Sequence, residues 1–257
     1  MKFLIIGDVF GECGMNFISS VLPELIEETE ADFVAVNAEN ASGGNGLCYS
    51  DYDTLMNIGA DVITMGNHTF GRKDILRIFD NENNIIRPAN YPPESPGKGS
   101  VIINKCKKKI CVINLMGRVN IMNTDCPFRA ADREIEAARG KADIILVDFH
   151  AEATSEKRAM GFYLDGRATC VYGTHTHVQT ADEIILPRGT AYISDIGMTG
   201  AQNSVLGLEP GAVIHRFLTS LPTKFEHAGG KAVLCGIVLE TDDDTNRAVS
   251  IERIIKR

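Results

Sequence analysis

The chain has 257 residues, of which 44% are hydrophobic and 23% are charged, a composition that is typical of a soluble globular protein and argues against extensive disorder. Its formal net charge of −8 argues against a broad surface for nucleic acid or anionic membranes, because such surfaces need clustered cations. Seven cysteines without a CxxC pair argue against a disulfide framework or zinc knuckle and fit a reducing cytosol.

The first part of the chain alternates short apolar runs with helical patterns. "KFLIIG" precedes a predicted helix over 16–30, "DFVAVN" precedes one over 50–58, and "DVITMG" precedes one over 72–79. Near-continuous apolar strands indicate burial on both faces of a sheet. The alternation of strand, helix and strand therefore predicts parallel βαβ units.

The second part of the chain brings its strands closer together. The apolar runs are "GSVIIN", "KKICVINL", "ADIILVDF", "TCVYG" and "TAYISD", and helices are predicted over 130–139, 155–164 and 210–221. The basic run "KCKKK" predicts a solvated hairpin turn, and "KAVLCGIVLE" with "RAVSIERIIKR" predicts a closing antiparallel pair. We expect an α/β protein with two packed sheets and outer helices, forming one domain over residues 1–257.

No segment has the pattern of a membrane span or a signal peptide. Spans need about 18 or more consecutive apolar residues, and none of the runs approaches that length. The apolar stretch of "MKFLIIGDVFG" is too short for the core of a signal peptide. We therefore expect a cytoplasmic protein that has no membrane partner.

Polar residues follow five of the predicted strands. They are Asp8, Glu39 with Asn40, Asn67 with His68, His150, and His175 with His177. In open α/β sheets, ligands bind beyond the carboxyl ends of the strands, so these eight side chains would converge on one rim. The two histidines of "GTHTHVQT" are one residue apart and would project to the same side of an extended chain.

Taken singly, most of these residues have a structural explanation: capping for Asp8, turn hydrogen bonds for Asn40 and Asn67, core packing for His68 and His150, and surface exposure for the H-x-H pair. Glu39 differs, because a carboxylate after an apolar strand is costly to bury without a cation. Five independent placements at strand ends are an improbable coincidence. The combination favours a shared metal site.

The donors are carboxylates, amides and imidazoles, without a thiolate. This set suits iron, manganese, nickel or zinc better than copper(I) or calcium. Seven donors are too many for one four-coordinate ion, but they could hold two ions about 3.5–4 Å apart, bridged by a carboxylate. Two cations would also allow an acidic protein to accept a phosphate substrate.

These motifs resemble a known superfamily. "GD" at 7–8, "GNH" at 66–68, His150 after a strand and "GTHTH" at 173–177 are similar to the calcineurin-like metallophosphoesterases. "NAENASGGNG" at 37–46 resembles the YmdB-like branch, and the resemblance extends over nearly the whole chain. It implies a four-layer α/β/β/α sandwich, in which two mixed sheets are flanked by helices.

The resemblance also implies two metal sites that share Glu39. The first would hold Asp8, Glu39, Asn40 and His177, and the second would hold Glu39, Asn67, His150 and His175. Metallophosphoesterases generally carry a histidine two residues after the first aspartate, whereas this chain has Phe10, which cannot bind a metal. The resemblance implies that Asn40 fills the vacated place, with weaker donor strength.

The activity implied by the resemblance is hydrolysis of small phosphodiesters, with 2′,3′- and 3′,5′-cyclic nucleotides as the expected substrates. A metal-bridging hydroxide would attack phosphorus in line while His68 assists the leaving oxygen; the alternative role for His68 is to orient a ligand. Iron or manganese is favoured, and zinc or nickel would also suit. RNA is a less favoured substrate because of the negative charge, and a homo-oligomer is compatible with the sequence.

Two rival hypotheses use the same residues. The chain could be a regulatory protein that senses a nucleotide in the metal pocket with little turnover, or its metal site could be purely structural. Four further features are weaker signals. The glycine-rich segment 41–46 could cradle phosphate or form a flexible rim, Asp195 is expected in a turn near the site, His215 is expected to pack or face solvent, and His227 has no evident partner.

Overall fold

The computed structural model describes all 257 residues, which form a mixed α/β arrangement. The strands are β1 (Lys2–Ile6), β2 (Asp8–Val9), β3 (Phe33–Asn37), β4 (Val62–Thr64), β5 (Ile85–Ile86), β6 (Ser100–Lys105), β7 (Lys108–Met116), β8 (Ile144–His150), β9 (Cys170–Thr174), β10 (Ile184–Ile185), β11 (Ala191–Ile193), β12 (Met198–Ala201), β13 (Ala232–Thr241) and β14 (Ala248–Lys256). The helices are α1 (Gly11–Thr29), α2 (Tyr49–Asn57), α3 (Asp74–Asn81), α4 (Pro127–Ala138), α5 (Thr154–Leu164) and α6 (Pro210–Thr219).

The strands form two sheets, and each sheet contains both parallel and antiparallel pairs. In the first sheet the order is β2-β12-β13-β1-β3-β4-β5, and β14 pairs with β13. Strands β1, β3, β4 and β5 are parallel, as the βαβ alternation predicts. In the second sheet the order is β10-β11-β9-β8-β7-β6, with four parallel strands between two antiparallel edge strands.

The alternation of side chains along β1 explains the layering. Leu4 and Ile6 point to one face of the first sheet, where they pack with residues of α1, α2 and α3. Phe3 and Ile5 point to the other face and pack against the second sheet. A third apolar cluster lies between the second sheet and helices α4 and α5. The expected four layers of helices, sheet, sheet and helices are confirmed.

Most predicted elements are present with shifted ends. The "KCKKK" turn is confirmed: it joins β6 to β7 through Cys106 and Lys107, which both have positive φ angles. The predicted pairing of β13 with β14 is also confirmed. The largest error is at α1, which begins at Gly11 and not at residue 16. None of the helices is both long enough and apolar enough to cross a membrane.

The early start of α1 depends on a close approach between two backbones. Gly14 lies in the first turn of the helix, and a side chain there would collide with the carbonyl group of Thr199 in β12. Glycines at 11 and 14 disfavour a helix when only local propensity is considered. The packing of α1 on β12 outweighs that preference.

Candidate metal centre

The expected rim is formed at the carboxyl ends of strands from both sheets. Asp8 lies in β2, Glu39 and Asn40 follow β3, Asn67 and His68 follow β4, His150 ends β8, and His175 and His177 follow β9. A cavity of about 350 Å³ opens there, lined by Glu39, Asn40, His68, His175 and His177 among others. Asp8 and His150 contact these residues, and Asn67 contacts His150, so the structure brings all eight together.

Three potential ligand atoms converge around the Nε2 atom of His150. It lies 3.1 Å from Nδ1 of His175, 3.2 Å from Oε1 of Glu39 and 3.0 Å from Oδ1 of Asn67. Glu39 and His150 are buried and His175 is half-buried, and one donor atom from each lies within 4.8 Å of the others. This is the donor set that the resemblance implies for the second site.

The donors expected for the first site lie on the other side of Glu39. Nε2 of His177 is 3.9 Å from Oδ1 of Asp8 and 3.2 Å from Nδ2 of Asn40. Oδ1 of Asn40 faces Nδ1 of His68 at 2.7 Å. An amide binds metals through oxygen, so Asn40 would become a ligand only after a half-turn of its amide group.

His68 is held at the mouth of the cavity. Its backbone N–H donates to Oε2 of Glu39 at 2.9 Å, and its Nδ1 lies 3.3 Å from Oε1 of the same carboxylate. The side chain of His68, which carries the second ring nitrogen Nε2, is 40% exposed. The contacts with Glu39 therefore hold His68 in place, while its ring remains accessible from the cavity.

Two observations test whether this arrangement fits cations. Oδ1 of Asp8 is buried and has no hydrogen-bond partner, although an unpaired buried carboxylate oxygen is costly. Gly66 provides the second observation, since a side chain there would overlap both Oε2 of Glu39 and Nε2 of His150. The backbone thus leaves space beside the donors, and the residues fit a metal centre that uses oxygen and imidazole ligands.

A buried chain of hydrogen bonds fixes the ring of His150. The hydroxyl group of Thr174 donates to Oδ1 of Asp148 at 2.7 Å, and Nδ1 of His150 donates to the same hydroxyl at 2.9 Å. Asp148 also accepts hydrogen bonds from Thr64 at 2.5 Å and from Asn37 at 3.1 Å. A proton held on Nδ1 leaves the lone pair of Nε2 available to a metal.

Burial and mutual interaction displace the pKa values of the cluster. Burial opposes protonation of His150, but the carboxylate of Glu39 raises the pKa of His150 to about 9. Burial, followed by the charge of His150, lowers the pKa of His175 to about 3. Burial would raise the pKa of Glu39, yet His150 and then His68 hold it well below its ordinary value. In the protein without metal, a proton on His150 compensates the buried charge of Glu39.

The loop after β9 is held in an unusual conformation. His175 and His177 have φ angles of 98° and 64°, in the region that non-glycine residues rarely adopt. Asp195 holds this loop by accepting hydrogen bonds from the N–H and hydroxyl groups of Thr176. Lys157 pairs with Asp195 at 2.6 Å, and both side chains are buried. Asp195 therefore supports the loop, and its carboxylate is paired with Lys157.

The structure adds residues that the sequence did not single out. Oε2 of Glu152 lies 3.2 Å from Nε2 of His175, and its position two residues after His150 was the available signal. The ring of His227 lines the cavity, a position that the sequence did not indicate. Phe10 is buried and packs edge-on against His177, with 5.6 Å between ring centroids. As expected, His215 faces solvent on α6.

Comparison with known proteins identifies the family. The sequence profile of the family described as YmdB-like protein matches residues 4–254. The chain therefore belongs to the YmdB-like family. A curated relative from Bacillus subtilis (strain 168), named 2′,3′-cyclic-nucleotide 2′-phosphodiesterase, is 48% identical over 99% of this chain and 97% of its own length.

Two solved structures share the fold of this YmdB-like protein throughout. A hypothetical protein from Thermus thermophilus is 41% identical, has a TM-score of 0.94 and covers 100% of this chain and 99% of its own. A protein described as a novel phosphatase from Mycoplasma pneumoniae is 39% identical, also has a TM-score of 0.94, and covers 100% of this chain and 93% of its own. The metallophosphoesterase-like fold expected from the motifs is confirmed.

Proposed function

We propose that this YmdB-like protein is a metal-dependent phosphodiesterase that hydrolyses small phosphodiesters, with 2′,3′-cyclic nucleotides as the first candidate and 3′,5′-cyclic nucleotides as the second. The observation that carries the proposal is the convergence of seven oxygen and nitrogen donors at one cavity. The name of the Bacillus subtilis relative supports the choice of substrate.

The charge of the cavity supports a requirement for cations. No lysine or arginine lines it, whereas Glu39 and Glu152 do and Asp8 lies beside them. Without bound cations, these carboxylates would repel a phosphate group, because no lysine or arginine in the lining offsets their charge. Bound divalent cations would reverse the sign of the local charge.

Two ions would be held by the two donor groups described above, with Glu39 shared between them. Bound divalent cations supply Lewis acidity and neutralise charge on the phosphoryl group. Imidazole and carboxylate donors favour iron or manganese, and zinc or nickel would also suit them. For the first group, Asn40 must turn its amide oxygen away from His68 and towards His177.

Other residues of the site would transfer a proton or hold the reacting groups in position. His68, when it carries a proton on Nε2, can deliver that proton to the leaving oxygen, while its Nδ1 lies beside the amide group of Asn40. Glu39 accepts the backbone N–H of His68, and its Oε1 lies 3.3 Å from Nδ1 of the ring, so this carboxylate positions His68. Thr174 and Asp148 keep His150 oriented during the reaction.

Metal-dependent hydrolysis of 2′,3′-cyclic AMP, followed by chromatography of the product, tests this proposal. His68→Ala should lower kcat by about 10²- to 10⁴-fold, the usual contribution of a general acid, while elemental analysis still finds both ions. His215→Ala, at an exposed position on α6, serves as the control and should leave kcat unchanged. Saturable nucleotide binding without product at any metal would refute the enzyme and favour the nucleotide sensor.

A further inference from the structure

A second cavity, of about 590 Å³, adjoins the metal cavity. Its walls are residues 11–20 of α1 and the segment 227–232, which leads into β13. Phe10 and His227 line both cavities. Because Phe10 is buried and His227 is exposed, the ring of His227 is the accessible group at the boundary between the two.

His227 differs from the other five histidines of the chain. Each of those makes a hydrogen bond through its ring, whereas neither ring nitrogen of His227 has a partner within the protein. The ring is nevertheless well located. It packs edge-on against Phe10, with 5.3 Å between centroids, and its backbone forms a bridge with Leu208. A fixed ring with free nitrogens is equipped to bind a ligand.

Two glycines lie beside this ring, and the absence of a side chain at Gly44 leaves the space that the ring occupies. A side chain at Gly44 would begin 2.7 Å from Nε2 of His227, and one at Gly11 would begin 3.6 Å from Nδ1. Both glycines have positive φ angles, of 69° and 60°, which other residues rarely adopt. Gly44 belongs to the glycine-rich segment 41–46, so this segment shapes the wall beside His227.

The lining of the second cavity does not suit a second phosphate. It contains no lysine or arginine, and Glu12 adds a negative charge. Asn16 and Ser20 offer uncharged hydrogen-bonding groups, while Phe17 and Ala228 offer apolar surface. Such a surface complements an uncharged group that has a flat apolar face and a polar edge. Its volume falls within the range of about 300–1,000 Å³ that is usual for small-molecule sites.

We propose that the second cavity is the nucleoside subsite. The phosphate of a nucleotide lies at the metal cavity, the uncharged nucleoside enters between α1 and the segment 227–232, and His227 hydrogen-bonds to the nucleoside. This inference rests on the proposed function, since it requires that the phosphate bind beside the metal donors. It assigns substrate selection to residues outside the metal centre.

Calorimetric binding to the manganese-loaded protein tests the subsite with two probes. Inorganic phosphate reaches only the metal cavity, whereas adenosine 3′-monophosphate extends into both. His227→Ala should weaken binding of the nucleotide about three- to tenfold, as expected for one hydrogen bond, and leave phosphate binding unchanged. Asn16→Trp, which fills the second cavity from an exposed helix position, should weaken nucleotide binding at least about tenfold.

Matched controls separate these effects from general damage. Glu24→Trp places the same side chain elsewhere on the exposed surface of α1, and His215→Ala removes a histidine outside both cavities. Both should bind the two probes as the parent does. The subsite is refuted if the parent binds the nucleotide no more tightly than phosphate. It is also refuted if His227→Ala and Asn16→Trp leave the difference in affinity between nucleotide and phosphate unchanged.

This test is distinguishable from a failure of the proposed function. If the parent shows the expected binding differences but does not hydrolyse cyclic nucleotides, the subsite stands and the enzyme proposal fails. If the parent hydrolyses cyclic nucleotides and the two variants retain the parent's KM, the enzyme stands and the subsite fails.

Discussion

Replacing Thr174 with valine removes one hydroxyl group from the buried chain that connects Asp148 to His150. The side chain keeps its shape, but two hydrogen bonds of 2.7 and 2.9 Å are lost. Oδ1 of Asp148 and Nδ1 of His150 are then left without this partner, and both side chains are fully buried. At about 1–3 kcal/mol for each unsatisfied group, we expect the free energy of unfolding to fall by about 2–6 kcal/mol.

The same substitution should weaken metal binding, because the ring of His150 is no longer oriented. Loss of a partner that orients a ligand typically lowers metal affinity about 10- to 100-fold. Thr64→Val provides a matched control, since Thr64 also donates to Asp148, at 2.5 Å, but does not contact His150. Urea unfolding with EDTA measures stability, and competition with a chelator measures metal affinity.

The comparison of the two valine variants decides the interpretation. Both should be destabilised, but only Thr174→Val should lose the additional factor in metal affinity. If Thr64→Val weakens metal binding as much as Thr174→Val does, Thr174 has no specific role in orienting His150 for the metal. The stability loss would then be a general effect of damage around Asp148.

Three further predictions follow from the same region. Gly66→Ala should abolish binding at the second site, measured by elemental analysis, because the added methyl group overlaps Glu39 and His150; unchanged stoichiometry would contradict this. Without metal, the folded protein keeps a proton on His150 up to its pKa of about 9, whereas the unfolded chain loses it near 6.5. This contribution to stability is present below pH 6.5 and is lost as the pH rises to about 9, so Tm in EDTA should fall over that interval, and less so in His150→Gln. Lys157→Met should lower the free energy of unfolding by about 3–5 kcal/mol in urea, because it leaves Asp195 buried without its cation; a smaller loss would mean that other donors suffice.

The convergence of the candidate metal donors could be predicted from sequence because a simple rule places them. Side chains at the carboxyl ends of neighbouring strands must share a rim, whatever the details of the loops. Glu39, Asn67 and His150 obey this rule, and the resemblance to a known family then distributed them between two sites. The apolar alternation of β1 similarly sufficed for the two faces of the first sheet.

Other features depend on contacts that no local pattern reveals. His227 lies in a segment without regular structure, and its ring reaches the cavity only because residues 227–232 fold back against α1. Asp148 reads as one polar residue within an apolar strand, and its partner Thr174 is on a different strand. Gly14 lies in the first turn of α1 against its own helix propensity, because β12 approaches the helix there. These three are decided by tertiary packing.

The two sheets of the sandwich meet at the site in a way that has a mechanical consequence. Asp8, Glu39 and Asn67 come from one sheet, and His150 and His175 come from the other. A cation coordinated by both groups would link the two sheets to each other at one end of the sandwich. Metal binding would therefore restrict sliding of one sheet over the other at this end. The opposite end of the sandwich would keep more freedom of motion.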